Sequence, residues 1–203
     1  MPDGGWGLQD RYQSSPLDTA QVLLTVGGAL PDEVSQQANS YLLSLQNVNG
    51  SWSPVNGGAS ELLTTASAVT ALKLQNSNMQ AVDAALQWLQ SQQHSNGGYG
   101  SDISTIATTV AVLRAFTGLL PSSDPSIQNA IDFLSSRQHV DGHWEFSVHS
   151  TAQAADFLSS QGRPNLFWQT FSIQPAPAVT GQPVQVDTVV SNNGVVDAPA
   201  TTA

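Results

Sequence analysis

Four side chains recur at comparable places along this chain and belong to types that can do chemistry: Asp18, Glu61, Asp102 and His149. Carboxylates can serve as general acids or bases, and a histidine exchanges its proton near neutral pH. A working acid or base also needs a partner within hydrogen-bond reach, and the sequence identifies none beside any of the four. They are therefore read as binding positions, with His149 and Asp18 as the catalytic candidates. Each has a structural reading as well. Asp18, just ahead of Thr19 and an apolar run, suits a helix cap, and His149 suits a solvent-facing first turn. His139 and His143 have the i, i+4 spacing of two zinc ligands on one helix face, but Asp141-Gly142 between them indicates a turn, so no metal site is expected. Asn47, Asn49 and Gly50 lack the other acidic ligands of a calcium loop and also read as a turn. With no cysteine in the chain, thiolate catalysis, disulfides and cysteine-based zinc sites are excluded, and no cofactor is expected.

The elements that position these residues come from a repeat. An aromatic-Leu, Gln, Gly-aromatic phrase recurs as Tyr41-Leu42, Gln46, Gly50-Ser51-Trp52, then Trp88-Leu89, Gln93, Gly97-Gly98-Tyr99, then Phe133-Leu134, Gln138, Gly142-His143-Trp144. With the partial copy Gly4-Gly5-Trp6, the closing aromatics stand at 6, 52, 99 and 144, in steps of 46, 47 and 45 residues. Val82, Ala85, Leu86 and Leu89, like Ile127, Ala130, Ile131 and Leu134, form the i, i+3, i+4, i+7 stripe of a helix. A second phrase, Asp18-Thr19-Ala20, Thr64-Thr65-Ala66, Thr108-Thr109-Val110 and Ser150-Thr151-Ala152, places a potential cap ahead of an apolar run. The pattern predicts helices over 17–29, 32–46, 60–75, 78–93, 103–118, 124–138 and 148–160. Pro31, Pro121 and Pro125 fall between the helices of a unit, and Asn49-Gly50, Asn96-Gly97 and Asp141-Gly142 form tight turns between units. One unit cannot bury its own apolar face, so stacking on neighbours must close the core. The aromatics after each glycine are accordingly expected to be interlocking core residues rather than a ligand wall.

Composition narrows the partners. Five Lys+Arg stand against 15 Asp+Glu, a formal net charge of −10. Nucleic acid is not an expected partner, because its binding rests on cationic neutralisation of phosphates. Met1-Pro2-Asp3-Gly4 begins without a basic segment or an apolar signal-peptide core, and no apolar run has the length of a membrane helix.

The repeat phrases resemble those of squalene-hopene cyclases and protein prenyltransferase β subunits over about residues 2–160. The opening Asp3-Gly4-Gly5-Trp6-Gly7 through Pro16-Leu17-Asp18-Thr19-Ala20 is similar to bacterial prenyltransferase/squalene oxidase repeat proteins. The resemblance implies a mostly α fold, an α/α toroid, of which this chain would supply about three and a half helix-pair repeats. It also implies a test of activity. Class II terpene cyclases protonate their substrate with the middle Asp of an Asp-x-Asp-Asp-Thr-Ala motif, and the stretch similar to it here is Ser15-Pro16-Leu17-Asp18-Thr19-Ala20. Leu17 takes the acid's place and cannot donate a proton. His149 stands at the same offset from Thr151 as Leu17 from Thr19, which makes it the position to watch. The zinc of the prenyltransferases is held by Asp, Cys and His, and the absence of cysteine removes that ligand set.

Beyond Phe157-Leu158 the helical periodicity ends and a Pro- and Val-rich tail without lysine follows Phe171. Val184, Val186, Thr188 and Val190 alternate with polar residues as a strand does, and Asn192-Asn193-Gly194 reads as a turn. With Thr180-Gly181-Gln182-Pro183, this stretch resembles the first strands of CARDB-type, immunoglobulin-like modules. The expected organisation is a repeat domain over 1–162, a linker over 163–171 and a truncated β-sandwich over 172–203. Two functions of different class are compatible with these readings. One is a non-catalytic secreted or cell-surface scaffold that binds a protein, a carbohydrate or a small molecule. The other is part of a class II terpene cyclase or related isoprenoid enzyme whose catalytic residues lie outside this chain.

Overall fold

The computed structural model describes residues 3–8, 13–161, 166–174 and 185–192. Seven α-helices are present among them: α1 (Pro16–Val26), α2 (Asp32–Ser44), α3 (Leu62–Leu74), α4 (Met79–Ser91), α5 (Ile106–Phe116), α6 (Pro125–Ser136) and α7 (Val148–Ser160). All seven predicted helices are found. The largest shifts are three residues, at the end of α1, where Gly27–Ala29 is a 3-10 turn rather than helix, and at the start of α5. None of the described helices is long and apolar enough to cross a membrane.

The chain divides into two compact units, Met1–Phe133 and Leu134–Ala203. Within the first, α3 packs between α1 and α5 in one layer, while α2 packs on α1 and α4 on α3 in a second. This placement explains the composition of α3. Its residues from Thr64 to Val69, with Leu62, Ala71 and Leu72, are all buried, so a helix surrounded by neighbours carries no polar stripe. Small side chains at Ala66, Ser67, Ala68 and Ala71 let those neighbours approach. Polar contacts tie the layer together: Gln21 Nε2 donates to Ser67 Oγ at 3.2 Å. Lys73 Nζ donates to the carbonyls of Arg114 and Thr117 at 2.8 and 2.9 Å, satisfying the end of α5.

Helix starts are built three residues upstream of where the recurring phrase suggested. The caps are Ser15, Glu61, Thr105 and Ser147, whose side-chain oxygens accept from the backbone N–H of Asp18, Thr64, Thr108 and Ser150. The first residue of each phrase is thus the N3 donor and not the cap. The second residue has a separate task. The hydroxyls of Thr19, Thr65, Thr109 and Thr151 accept the backbone N–H of Trp6, Trp52, Tyr99 and Trp144 at 2.9, 2.9, 3.0 and 2.9 Å. The carbonyls of the same four aromatics accept from the N–H of the four cap residues at 2.9 to 3.0 Å. Both peptide groups that flank a buried ring are therefore paired, as a buried backbone requires. Trp52, Tyr99 and Trp144 are 0%, 0% and 1% exposed, so they are core residues and line no open pocket.

The turns are locked by glutamine and glycine. Gln46 Nε2 donates to the carbonyls of Gly50 and Ala81, and Gln93 Nε2 to those of Gly97 and Ser126, all at 2.8 Å. Gln46 thereby joins its own turn to the first turn of α4, and Gln93 joins its turn to the first turn of α6. Gly50 and Gly97 have φ of +87° and +85°, and a Cβ there would sit 2.5 Å from Ala84 O and 2.3 Å from Asn129 O. Positive φ and backbone contact both demand glycine.

In the second unit the backbone forms two strands, β1 (Leu166–Gln174) and β2 (Gln185–Asn192), paired antiparallel from Leu166↔Asn192 to Gln174↔Gln185 with an irregularity between Trp168 and Thr170. The strand pattern read at 184–190 coincides with β2, but its partner precedes it, starting inside the stretch read as a linker. The expected immunoglobulin-like sandwich is not supported. A sandwich needs about seven strands in two facing sheets, and the described residues form one two-stranded ladder. The rest of that reading, on 163–165, 175–184 and 193–203, lies outside the described residues.

Candidate functional site

Asp18 lies in the first turn of α1, where its Oδ2 accepts from Ser15 Oγ at 2.8 Å while its N–H donates back to the same hydroxyl. That reciprocal pair is a capping arrangement in which the carboxylate is already engaged. Glu61 caps α3, accepting from Leu63 N at 3.1 Å and Thr64 N at 2.6 Å. It also borders a groove of about 450 Å³, lined in addition by Leu62, Trp88, Gln92, His94 and Ser101. Asp102 is exposed in the loop before α5 rather than at the helix start. Thr105, not Asp102, caps that helix. His149 is exposed as the second residue of α7. Asp18, Glu61 and Asp102 belong to the first unit and His149 to the second. Two of the four carboxylate and imidazole positions are thus engaged in helix capping and two face solvent.

The structure does gather titratable side chains at a place the sequence reading set aside. In the turn between α6 and α7, His139 N–H donates to His143 O at 2.9 Å and Gly142 N–H to His139 O at 2.8 Å. This turn brings His139 Nδ1 to 2.9 Å and His143 Nε2 to 3.2 Å from Asp141 Oδ1. The two imidazole rings stack with centroids 4.6 Å apart and planes 3° from parallel. The ring of Phe146 lies 4.2 Å from that of His143 and 5.5 Å from that of His139. Against desolvation, which raises it, hydrogen bonds from His139 and from the His143 backbone together with the nearby imidazoles hold the exposed Asp141 carboxyl below its ordinary pKa. One nitrogen or oxygen ligand atom from each of His139, Asp141 and His143 lies within 4.8 Å of the other two. Asp141-Gly142 does make a turn, as the sequence indicated, but it is the turn itself that converges the side chains. The signal available in the sequence was the recurrence of that turn at 47–51, 94–98 and 139–143 with different side chains.

The comparisons agree with the geometry of the repeats. The model of the prenyltransferase alpha-alpha toroid domain matches residues 3–167. The chain is 30% identical over 173 residues to a drimenyl diphosphate synthase of Streptomyces showdoensis, a stretch covering 78% of this chain and 32% of that protein. A second drimenyl diphosphate synthase, from Streptantibioticus cattleyicolor, is 27% identical over 174 residues with the same coverage. The chain therefore spans about a third of the length of these relatives. Among solved structures, the apo type II terpene cyclase MstE from Scytonema aligns with a TM-score of 0.65 at 20% identity, covering 77% of this chain and 51% of that one. The ent-copalyl diphosphate synthase from Streptomyces platensis aligns with a TM-score of 0.57 at 21% identity, covering 77% and 36%. At such identities the structural likeness speaks to the fold alone. The interlocked Gln, Gly, aromatic and Thr positions recur through the region that the family model matches, and the chain belongs to the prenyltransferase alpha-alpha toroid domain family.

Proposed function

We propose that this chain is part of a type II terpene cyclase-like enzyme acting on an isoprenoid, with its proton donor supplied from outside the start of α1. The observation that carries the reading is the identity of 30% over 173 residues to a drimenyl diphosphate synthase. It favours the enzymatic reading over the non-catalytic scaffold. At the start of α1 the position of the expected acid is occupied by half-buried Leu17, and the adjacent Asp18 carboxylate is engaged by Ser15 Oγ. A general acid must carry a transferable proton and face the substrate. Neither residue meets both needs, so the contribution of α1, α3 and α5 is a rigid layer against which other elements of the full-length protein place the acid and the substrate.

Incubation of the full-length protein with farnesyl diphosphate, geranylgeranyl diphosphate and squalene, followed by mass-spectrometric product analysis, tests this reading. A cyclised product from one of them is expected, and its formation should survive Asp18→Asn. Failure to cyclise any of the three by a folded full-length protein would return the scaffold reading to first place. Loss of turnover in a His149→Ala variant of unchanged melting temperature would assign the acid to His149 instead.

A further inference from the structure

We propose that the turn between α6 and α7 is a binding site for a divalent transition-metal ion of the zinc class, with His139, Asp141 and His143 as its ligands. The first support is that the fold builds the convergence in every repeat. In the first turn, Asn47 Nδ2 donates to Ser51 Oγ at 3.2 Å and Ser51 Oγ donates to Asn49 Oδ1 at 2.7 Å, so the first, third and fifth positions meet. In the second turn the fifth position is Gly98, and Ser104 Oγ takes its place, 2.8 Å from Asn96 Oδ1 and 3.0 Å from His94 Nδ1. The backbone frame is the same in all three turns: the first-position N–H donates to the fifth-position carbonyl at 2.8, 3.0 and 2.9 Å. Only the third turn places imidazole, carboxylate and imidazole on that frame.

The second support is the state of the donors. Both ring nitrogens of His143 are shielded from solvent and have no hydrogen-bond partner, although Nε2 lies 3.2 Å from Asp141 Oδ1. An imidazole nitrogen left without a partner is costly and is available as a ligand. Around a tetrahedral zinc with bonds of about 2.1 Å, neighbouring ligand atoms stand roughly 3.4 Å apart. The present separations of 2.9 and 3.2 Å from the carboxylate oxygen need little widening. The parallel rings hold their lone pairs in two parallel planes, so one ring must rotate out of the stack as the ion enters. Phe146, against both rings, shields one side of the site.

Two imidazoles and one carboxylate suit zinc, copper(II), nickel or cobalt, whereas calcium and magnesium favour all-oxygen sets. Three protein ligands on an exposed turn leave the fourth position to water or to an external donor. The test is calorimetric titration of the 203-residue chain with zinc chloride, followed in parallel by imidazole nitrogen NMR. One zinc per chain is expected, with shifts confined to His139 and His143 and absent from His94 and His149. H139N and H143S give the first and fifth positions of the third turn the residues they have in the first turn, which this fold already accommodates, and each should weaken binding at least tenfold. The combined H139N/H143S variant should lose the rise in melting temperature that zinc confers on the parent. Zinc binding undiminished in that folded double variant, or no binding by the parent chain, would overturn the proposal.

Discussion

The turns at 47–51 and 139–143 share a backbone, a valine and a glycine, and differ at the first, third and fifth positions. Both return their chain through the same pair of hydrogen bonds, and both lead into a buried tryptophan whose indole N–H donates at 2.7 Å to a carbonyl ten residues upstream, Leu42 for Trp52 and Leu134 for Trp144. The earlier turn is pressed against α4 through Gly50 and through the second hydrogen bond of Gln46. In the later turn only the Gln138 side chain lies within 4 Å of the place a Gly142 Cβ would take, and Gln138 Nε2 reaches only the Gly142 carbonyl among the described residues. The difference separates two roles that coincide in the earlier turn. Turn geometry is local, set by the glycine and the ring. Confinement of the earlier turn comes from α4, whereas among the described residues no helix backbone lies against Gly142.

The comparison is broken most forcefully by removing what the two turns share. Trp52→Ala and Trp144→Ala should each lower stability by about 3–5 kcal/mol, as truncation of a large buried aromatic does. Chemical denaturation followed by circular dichroism measures it, and near-wild-type midpoints for both would mean that neither ring anchors its turn. A sharper discrimination comes from the glycines. Gly50→Ala brings a Cβ against backbone as well as forcing positive φ, so a loss of about 3 kcal/mol is expected from the overpacking and conformational costs together. Gly142→Ala meets only the conformational cost, about 1–2 kcal/mol. Equal losses in the two variants would refute the claim that the earlier turn alone is confined.

Thr65→Val keeps the shape of a buried side chain while removing the acceptor for the Trp52 N–H. The expected loss is about 1–3 kcal/mol, the cost of an unsatisfied buried donor. A double-mutant cycle with Trp52→Ala should show strong coupling between the two positions, and additive effects would deny the link.

The smallest effect concerns the opening turn, where a Cβ on Gly5 would contact the Tyr41 ring at 2.7 Å. Burial, then the charges of Asp3 and Asp18, push the Tyr41 phenol from 10.0 up to about 12. Because the folded state favours the neutral phenol, this contribution to stability is complete below pH 10 and is lost as pH rises from about 10 to about 12. Tyr41→Phe should flatten that part of the stability profile. A phenolate absorbance titration with all three tyrosines ionising near 10 would contradict it.

Much of this fold was legible because it repeats. Steps of 45–47 residues, apolar stripes at helical spacing and Asn-Gly or Asp-Gly pairs determine helix number, helix order and turn positions, since each is a local consequence of backbone and side-chain preference. The burial of Trp52, Tyr99 and Trp144 followed from the same periodicity. The details of capping did not. Thr19, Thr65, Thr109 and Thr151 have the composition of helix starts, but only the folded chain brings the N–H of a preceding aromatic to each hydroxyl and leaves the cap to a residue four positions earlier in the chain. The pairing of β1 with β2 was likewise undecided by alternation, which places side chains on faces but does not choose a partner strand.

The residues around the candidate sites divide along the same line. That Leu17 cannot donate a proton, and that a chain without cysteine cannot hold metal through thiolate, are properties of composition and stand before any folding. That Asp18 and Glu61 are occupied in capping, and that His139, Asp141 and His143 meet at one point, are facts of tertiary structure. Spacing along a sequence fixes how far apart two side chains can be, but the direction each one points depends on backbone dihedrals set by the turn and the helices it joins.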